Sequence, residues 1–174
     1  MRLGLLAAIF FFAIASITDA NAQDANFPDR KATVLNLCPH VELSKFSFQN
    51  RDYSRFEQTM SWKNIGNQPL VAFEIVILEY DAFDQRMVGT RWTVTGKNSA
   101  DWRPLALGGS GSDGTRGISI EKVFTAIAYV RAARLNDGTV WQVNEAHLAQ
   151  EIRKVAPRIR EFGNLNPDPK QKTD

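Results

Sequence analysis

Alternating apolar and polar positions between residues 56 and 143 predict a series of short β-strands. In Phe56–Asn64, Met60 and Trp62 share one face, because successive side chains of a strand point to opposite sides. Leu70–Tyr80 is apolar on both faces, which is typical of a strand in the middle of a sheet or sandwich. Further β-type segments are predicted at Ala32–Leu37, Val41–Phe48, Val88–Val94, Trp102–Leu107, Ile118–Ile120, Phe124–Leu135 and Val140–Val143.

Three short segments predict irregular backbone between or within these strands. The apolar phase of the second strand changes near Lys45, which indicates a bulge or an edge strand. Asp137-Gly138 lies between two β-type runs and predicts a hairpin in which both residues take positive φ. Gly108–Gly117 is rich in glycine and serine, a composition that predicts the most flexible loop of the domain.

From Asn144 onward the apolar period changes to that of an amphipathic helix. Asn144 is suited to the N-cap and Gly163 to the stop, so a helix over 144–163 is predicted to pack on the β domain. Pro157 removes a backbone donor and disfavours helix at Ala156, so a break or kink is expected there. Asn164–Asp174 is expected to be a disordered tail. The predicted apolar stripe consists of Leu148, Ile152, Val155, Ile159 and Phe162.

The order of these elements predicts a mainly β fold. Seven or eight short strands over 32–143, followed by one helix, are typical of an antiparallel immunoglobulin-like β-sandwich. The Cys…Trp…Cys pattern of antibody domains is absent, so the prediction concerns the architecture alone. A partly open β-barrel is the alternative.

The first residues have the three parts of a cleavable secretory signal. Met1-Arg2 supplies a positive start, Leu3–Ile17 is apolar, and Ala20-Asn21-Ala22 is a small-residue cleavage site. The apolar run is shorter than the roughly 20 residues of a spanning helix, which disfavours the alternative of an uncleaved anchor. The prediction is therefore a signal peptide over 1–22 and a lead-in over 23–31, with the mature chain exported, to the periplasm or beyond, and without a membrane span.

Charge and cysteine content narrow the classes of protein to which the chain could belong. The formal net charge is +2, and basic and acidic residues are interleaved. A nucleic-acid-binding domain carries a concentrated basic face, so no nucleic-acid partner is predicted. Cys38 is the single cysteine, so the chain cannot close an internal disulfide. We expect Cys38 to be a small buried apolar side chain, with a reactive or intermolecular thiol as the alternative.

Two groups of motifs resemble small exported bacterial β-sandwich domains. Trp62–Gly66, Pro69-Leu70 and Leu78–Asp84 resemble the turn and apolar strand of the FxLYD-like family, in which the strand ends in Tyr-Asp. Val130–Trp141 resembles a hairpin with an Asp-Gly-Thr turn that is common in such domains. The chain departs from the family pattern at Glu74-Ile75 and at Asp84-Gln85. The resemblance implies a fold and a cell compartment, and it carries over no catalytic residue.

Motifs for cofactors and metals are weak. Gly109–Gly114 fits G-x-G-x-x-G, but Gly117 follows where a phosphate-binding helix should begin, so a loop between strands is favoured and no cofactor is predicted. Cys38, His40 and His147 are too few for a structural zinc site and lack repeated spacing, so no metal site is predicted from them.

Carboxylates gather at the end of one predicted strand. Glu79, Asp81 and Asp84 could serve glycosidic hydrolysis or hold calcium. The simpler interpretation is an aspartate that caps its own turn. An exported hydrolase or metal-ion-binding protein using this acidic cluster is therefore the alternative function.

The favoured function is binding. Trp102 and Arg103 lie beside the glycine-rich segment and are the predicted contact with a partner, while Trp62 and Trp141 are predicted to be core. The helix could dock on a membrane surface or a second protein, although covering one open end of its own sandwich is simpler. The sequence therefore predicts an exported, non-catalytic interaction module whose partner is another protein of the cell envelope.

Overall fold

The computed structural model describes residues 30–52, 55–96, 103–117 and 122–165. The predicted signal, Trp102, Ile118–Ile120 and most of the predicted tail lie outside these ranges. Within them, eight strands are followed by one helix. The elements are β1 (Lys31–Leu35), β2 (Val41–Asp52), β3 (Arg55–Asn64), β4 (Leu70–Tyr80), β5 (Thr90–Thr95), β6 (Ser110–Gly117), β7 (Thr125–Leu135), β8 (Val140–Gln142) and α1 (Glu145–Val155).

The strands form two sheets, which confirms the predicted mainly β sandwich with one C-terminal helix. The five-stranded sheet has the order β1-β7-β4-β5, and β8 also pairs with β7. The three-stranded sheet has the order β2-β3-β6. Strand pairs are antiparallel except β1 and β7, which are parallel. Because β4 occupies one edge of β7 along its length, β1 and β8 share the other edge end to end.

The central strand β4 is buried on both faces, as its sequence predicts. Phe73, Ile75 and Ile77 point toward the three-stranded sheet, and each is at most 2% exposed. Val76 and Leu78 point to the outer face and are fully buried there as well. Burying an aliphatic side chain of this size contributes roughly 1.5–3 kcal/mol. The five-stranded sheet therefore separates two apolar layers.

Helix α1 covers the outer face of the five-stranded sheet rather than an open end of the sandwich. Leu148 and Ile152 are fully buried against that face. Asn144 is the N-cap, and its side chain accepts a hydrogen bond from the His147 amide at 2.9 Å. Within the described part of the chain, no helix is long and apolar enough to cross a membrane.

The predicted helix over 144–163 is too long. α1 ends at Val155, where Pro157 prevents continuation, so Gly163 is not the helix stop. Residues 156–165 continue along the same sheet face without helical structure. Ile159 is buried there, and the Tyr129 hydroxyl donates a hydrogen bond to the Leu165 carbonyl oxygen.

The predicted flexible loop over Gly108–Gly117 is wrong for most of its length, because Ser110–Gly117 form strand β6, paired with β3. Two of its glycines are required because atoms of β3 approach their backbone closely. A Cβ atom on Gly111 would lie 2.8 Å from the Trp62 Nε1, and one on Gly114 would lie 2.9 Å from the Gln58 carbonyl oxygen. The G-x-G-x-x-G spacing is therefore part of a sheet and opens no helix.

Three further local predictions concern the bulge in β2, the hairpin between β7 and β8, and the strand expected at 102–107. Lys45 has a φ of 50°, and the β2–β3 register shifts between Ser44 and Ser47, which confirms the bulge in an edge strand. The hairpin between β7 and β8 is confirmed, but only Gly138 takes positive φ in its turn. The strand predicted at 102–107 is absent from the described residues 103–107, where Leu105 forms an isolated bridge.

Candidate functional site

An apolar cavity of about 450 Å³ lies at the side of the sandwich where both sheets end in an edge strand. We call it the edge groove. Strand β5 borders it on the five-stranded sheet, and β6 borders it on the three-stranded sheet. The groove is lined by Trp62, Leu70, Val71, Ala72, Phe73, Val94, Thr95, Gly96, Arg103, Pro104, Leu105, Ala106, Gly109, Ser110 and Gly111.

Two core aromatic rings form the inner wall of the edge groove. Trp62 on β3 and Phe73 on β4 pack edge to face, with their ring centroids 5.9 Å apart. Both rings are anchored in strands whose alternation turns them toward the sandwich interior. The wall is therefore built into the core rather than carried on a loop.

Asn64 fixes the end of the groove. Its Nδ2 lies 2.9 Å from the Gln68 carbonyl oxygen, 3.0 Å from that of Leu105 and 3.2 Å from that of Ala106. Its Oδ1 accepts a hydrogen bond from the Gly66 amide at 3.0 Å. Because Asn64 is buried and its side chain is satisfied, segment 103–106 is held against the start of β4.

The rim of the groove carries the predicted contact residue Arg103. This residue is exposed and is the single ionisable side chain among the described residues that line the groove. It forms no hydrogen bond or ion pair with the described part of the chain. Trp102, predicted with it, lies outside the described residues. The structure thus places one of the two predicted contact residues at an apolar cavity.

The predicted acidic cluster does not converge on one point. Glu79 is buried between the sheets, where one oxygen, Oε1, lies 2.9 Å from both the Gln58 Nε2 and the Thr90 Oγ1. Asp81 instead caps its turn, accepting hydrogen bonds from the amides of Phe83 and Gln85. This turn is the simpler interpretation of the sequence, and the structure confirms it.

Asp81 and Asp84 line a second hollow, of about 550 Å³, beyond the end of α1. Lys31 and Arg158 also line it, so its rim carries charges of both signs. Among the described residues, no three histidine, cysteine, aspartate or glutamate side chains come together in a group that could hold a metal ion.

Cys38 is buried beside the core, 4% exposed, as its residue type predicts. Burial raises the pKa of its thiol to about 11, which the backbone hydrogen bonds from His40 and Val41 oppose. The thiol is therefore protonated at neutral pH, a state unsuited to nucleophilic attack or metal ligation.

Sequence reasoning missed an ion-pair cluster on the outer face of the five-stranded sheet. Glu74 on β4 accepts hydrogen bonds from Arg91 on β5, at 2.6 Å, and from Arg131 on β7. Burial raises the pKa of Glu74, but the two guanidinium groups outweigh it and hold the pKa below its ordinary value. The available signal was a charged residue in each of three strands, whose register the sequence does not reveal.

No protein-family model matches the chain, and no curated protein matches it. Among solved structures, it is similar to a hypothetical protein of Peptoclostridium difficile 630, at 13% identity and a TM-score of 0.44, over 66% of this chain and 91% of that one. It is also similar to the Northeast Structural Genomics Consortium target SoR45, at 16% identity and a TM-score of 0.30, over 59% of this chain and 76% of that one. At these identities and TM-scores, neither structure indicates a function for this chain.

Proposed function

We propose that the chain is an exported, non-catalytic binding module of the cell envelope, and that the edge groove holds another envelope protein. The observation that carries the proposal is the groove itself. It is a concave apolar site beside two edge strands, with Trp62 and Phe73 as its wall and Arg103 at its rim. Apolar pockets with a few polar groups at their margin are the usual form of a ligand site, and at protein interfaces such pockets hold a partner's anchor side chain.

The chemistry of the groove favours binding over catalysis. General acid–base catalysis requires a side chain that exchanges a proton within hydrogen-bond reach of the reacting group, a role that a guanidinium group does not fill. The other polar side-chain groups of the described lining residues are the hydroxyls of Thr95 and Ser110 and the indole N–H of Trp62. The acidic cluster is the basis of the alternative function, but it is divided between a buried inter-sheet bond at Glu79 and a turn cap at Asp81.

Export is supported by the tripartite signal over residues 1–22. A mature domain without an internal disulfide is compatible with an oxidising compartment because its apolar core is large enough to stabilise it. The periplasm is the proposed location.

Site-specific photo-crosslinking in the native host tests the proposal. A benzophenone amino acid replaces Val94 in the groove, and in the control it replaces Arg134, an exposed residue of β7. We expect a protein adduct at position 94 that is absent at position 134, and we expect Ala106→Trp, which fills the groove, to reduce it. Equal adducts at both positions, or none at position 94, would refute groove-mediated binding.

A further inference from the structure

The outer edge of β6 has hydrogen-bonding groups that no strand in the described ranges pairs with. The Asn64 amide donates to the Gly109 carbonyl oxygen at 2.8 Å, so this residue pair is hydrogen-bonded. In an antiparallel ladder, such pairs alternate with pairs that are not hydrogen-bonded. The register therefore turns the N–H and C=O groups of Ser110 and Ser112 away from β3.

The free part of this edge lies beside the edge groove. The next outward amide, that of Gly114, already donates to the Asp113 Oδ1 at 2.7 Å. The amides of Ser110 and Ser112, which no strand in the described ranges pairs with, lie at the end of β6 whose residues Ser110 and Gly111 line the groove. An extended chain laid along this end would make main-chain hydrogen bonds and would turn alternate side chains toward the groove.

We propose that the partner binds as an extended strand that pairs with β6 through Ser110 and Ser112. One of its apolar side chains enters the edge groove beside Trp62, and a neighbouring acidic residue pairs with Arg103. This inference rests on the proposed function and specifies the form of the partner.

Charge complementarity selects an acidic residue in the partner. Arg103 is a cation at the rim of an apolar cavity and forms no ion pair within the described ranges. A carboxylate at that point would form a charge-assisted hydrogen bond with the guanidinium group. A compact apolar ligand would use the groove alone and would be insensitive to the β6 edge.

Selection of random peptides of about ten residues, the length of a long strand, tests the inference. Peptides enriched on the mature protein are expected to alternate apolar and polar residues around an acidic one. Their affinity is then measured by fluorescence anisotropy on Ser112→Pro, which removes an outward amide, and on Ser112→Ala, which retains it. We expect Ser112→Pro to weaken binding about tenfold or more and Ser112→Ala to have no effect, because the lost contacts are main-chain hydrogen bonds.

N-methylated peptides give a second readout that does not depend on the folding of the proline variant. Methylation of one alternate set of peptide amides is expected to abolish binding, and methylation of the other set to leave it intact, because one set faces β6. Arg103→Glu is expected to weaken the acidic peptides and to spare variants in which the acid is replaced by its amide.

Peptides that bind Ser112→Pro and the unaltered protein equally, or that tolerate both methylation patterns, would overturn strand addition. A homodimer that Ser112→Pro dissociates would overturn it in favour of self-pairing. If position 94 forms adducts while no peptide depends on the β6 edge, groove binding stands and strand addition fails. If position 94 forms no adduct and no peptide depends on the β6 edge, both proposals fail.

Discussion

The indole of Trp62 lies so close over Gly111 that a Cβ atom there would stand 2.8 Å from Nε1 and 3.0 Å from Cε2. The two residues are directly paired across β3 and β6. The glycine thus gives the ring its position, and the ring forms the wall of the edge groove. A position that composition alone describes as flexible is therefore restricted to glycine by its neighbour across the sheet.

Gly111→Ala is therefore expected to displace the Trp62 ring toward the groove. Overpacking of this kind costs about 1–3 kcal/mol of the free energy of unfolding. Urea unfolding measures the cost, near-ultraviolet circular dichroism reports the ring, and the crosslink at position 94 should weaken. Ser112→Ala, an exposed change on the same strand, is the control. Unchanged tryptophan spectra in Gly111→Ala would contradict the close packing.

The outer apolar face depends on α1. Ile152 is fully buried against the five-stranded sheet, so Ile152→Ala is expected to lower the free energy of unfolding by about 2–4 kcal/mol. Gln150→Ala, on the exposed side of the same helix, should change it by less than about 0.5 kcal/mol. Equal effects of the two substitutions would show that the helix does not dock as described.

The burial of this stripe also bears on the hypothesis of membrane attachment. Leu148 and Ile152 are occupied by contacts with the sheet, so they are not available to a lipid surface. We expect the chain without its predicted signal, residues 23–174, to remain in the dense fraction in flotation with anionic vesicles. Co-flotation that Ile152→Ala does not alter would favour another membrane-binding surface.

Glu74 predicts a specific dependence of stability on pH. Its pKa is lowered in the folded state, so its contribution is complete above the ordinary carboxyl pKa of about 4.3 and is lost as pH falls through the lowered value. Glu74→Gln is expected to lower the free energy of unfolding by about 1 kcal/mol at about pH 7. The difference from the unaltered protein should shrink as pH falls below the ordinary carboxyl pKa. Glu161→Gln, on an exposed residue, is the control.

Elements that depend on short stretches of sequence, such as apolar runs, caps and prolines, were predicted correctly. The predicted range Leu70–Tyr80 coincides with β4, because burial on both faces leaves an apolar run that flanking turn residues delimit. Asn144 and Pro157 fix the ends of α1 through capping and the missing amide. The bulge at Lys45 was visible as a change of apolar phase.

Non-local relationships account for what the sequence could not predict. β6 is a strand because it pairs with β3 and passes under Trp62, which glycine and serine composition does not reveal. The edge groove joins residues distant in sequence, including Phe73, Val94 and Gly111. Arg103 was predicted as a contact from its surroundings in sequence, but the apolar cavity beside it depends on the pairing of both sheets.

Glu79 links the two sheets through a buried hydrogen bond, and replacing Glu79 alone should lower the free energy of unfolding. Glu79→Leu leaves the Gln58 amide without its acceptor, so we expect a loss of about 2–3 kcal/mol of the free energy of unfolding. The double substitution Gln58→Leu with Glu79→Leu removes both polar groups, including the Gln58 Oε1, which is buried without a partner in the described ranges. Replacing both members of a buried pair by apolar groups is close to neutral. The Thr90 hydroxyl also loses its acceptor at Glu79, but Thr90 is only half-buried, so this adds a smaller cost that is common to Glu79→Leu and the double variant.

Urea unfolding of the unaltered protein, the two single variants and the double variant gives the four free energies of a double-mutant cycle. The double variant is expected to be more stable than Glu79→Leu, because it restores complementarity between the sheets. If its loss instead equals the sum of the single losses, the two side chains act independently and the inter-sheet bond contributes nothing. Crosslinking at position 94 should survive in the double variant, since Glu79 and Gln58 are absent from the lining of the edge groove.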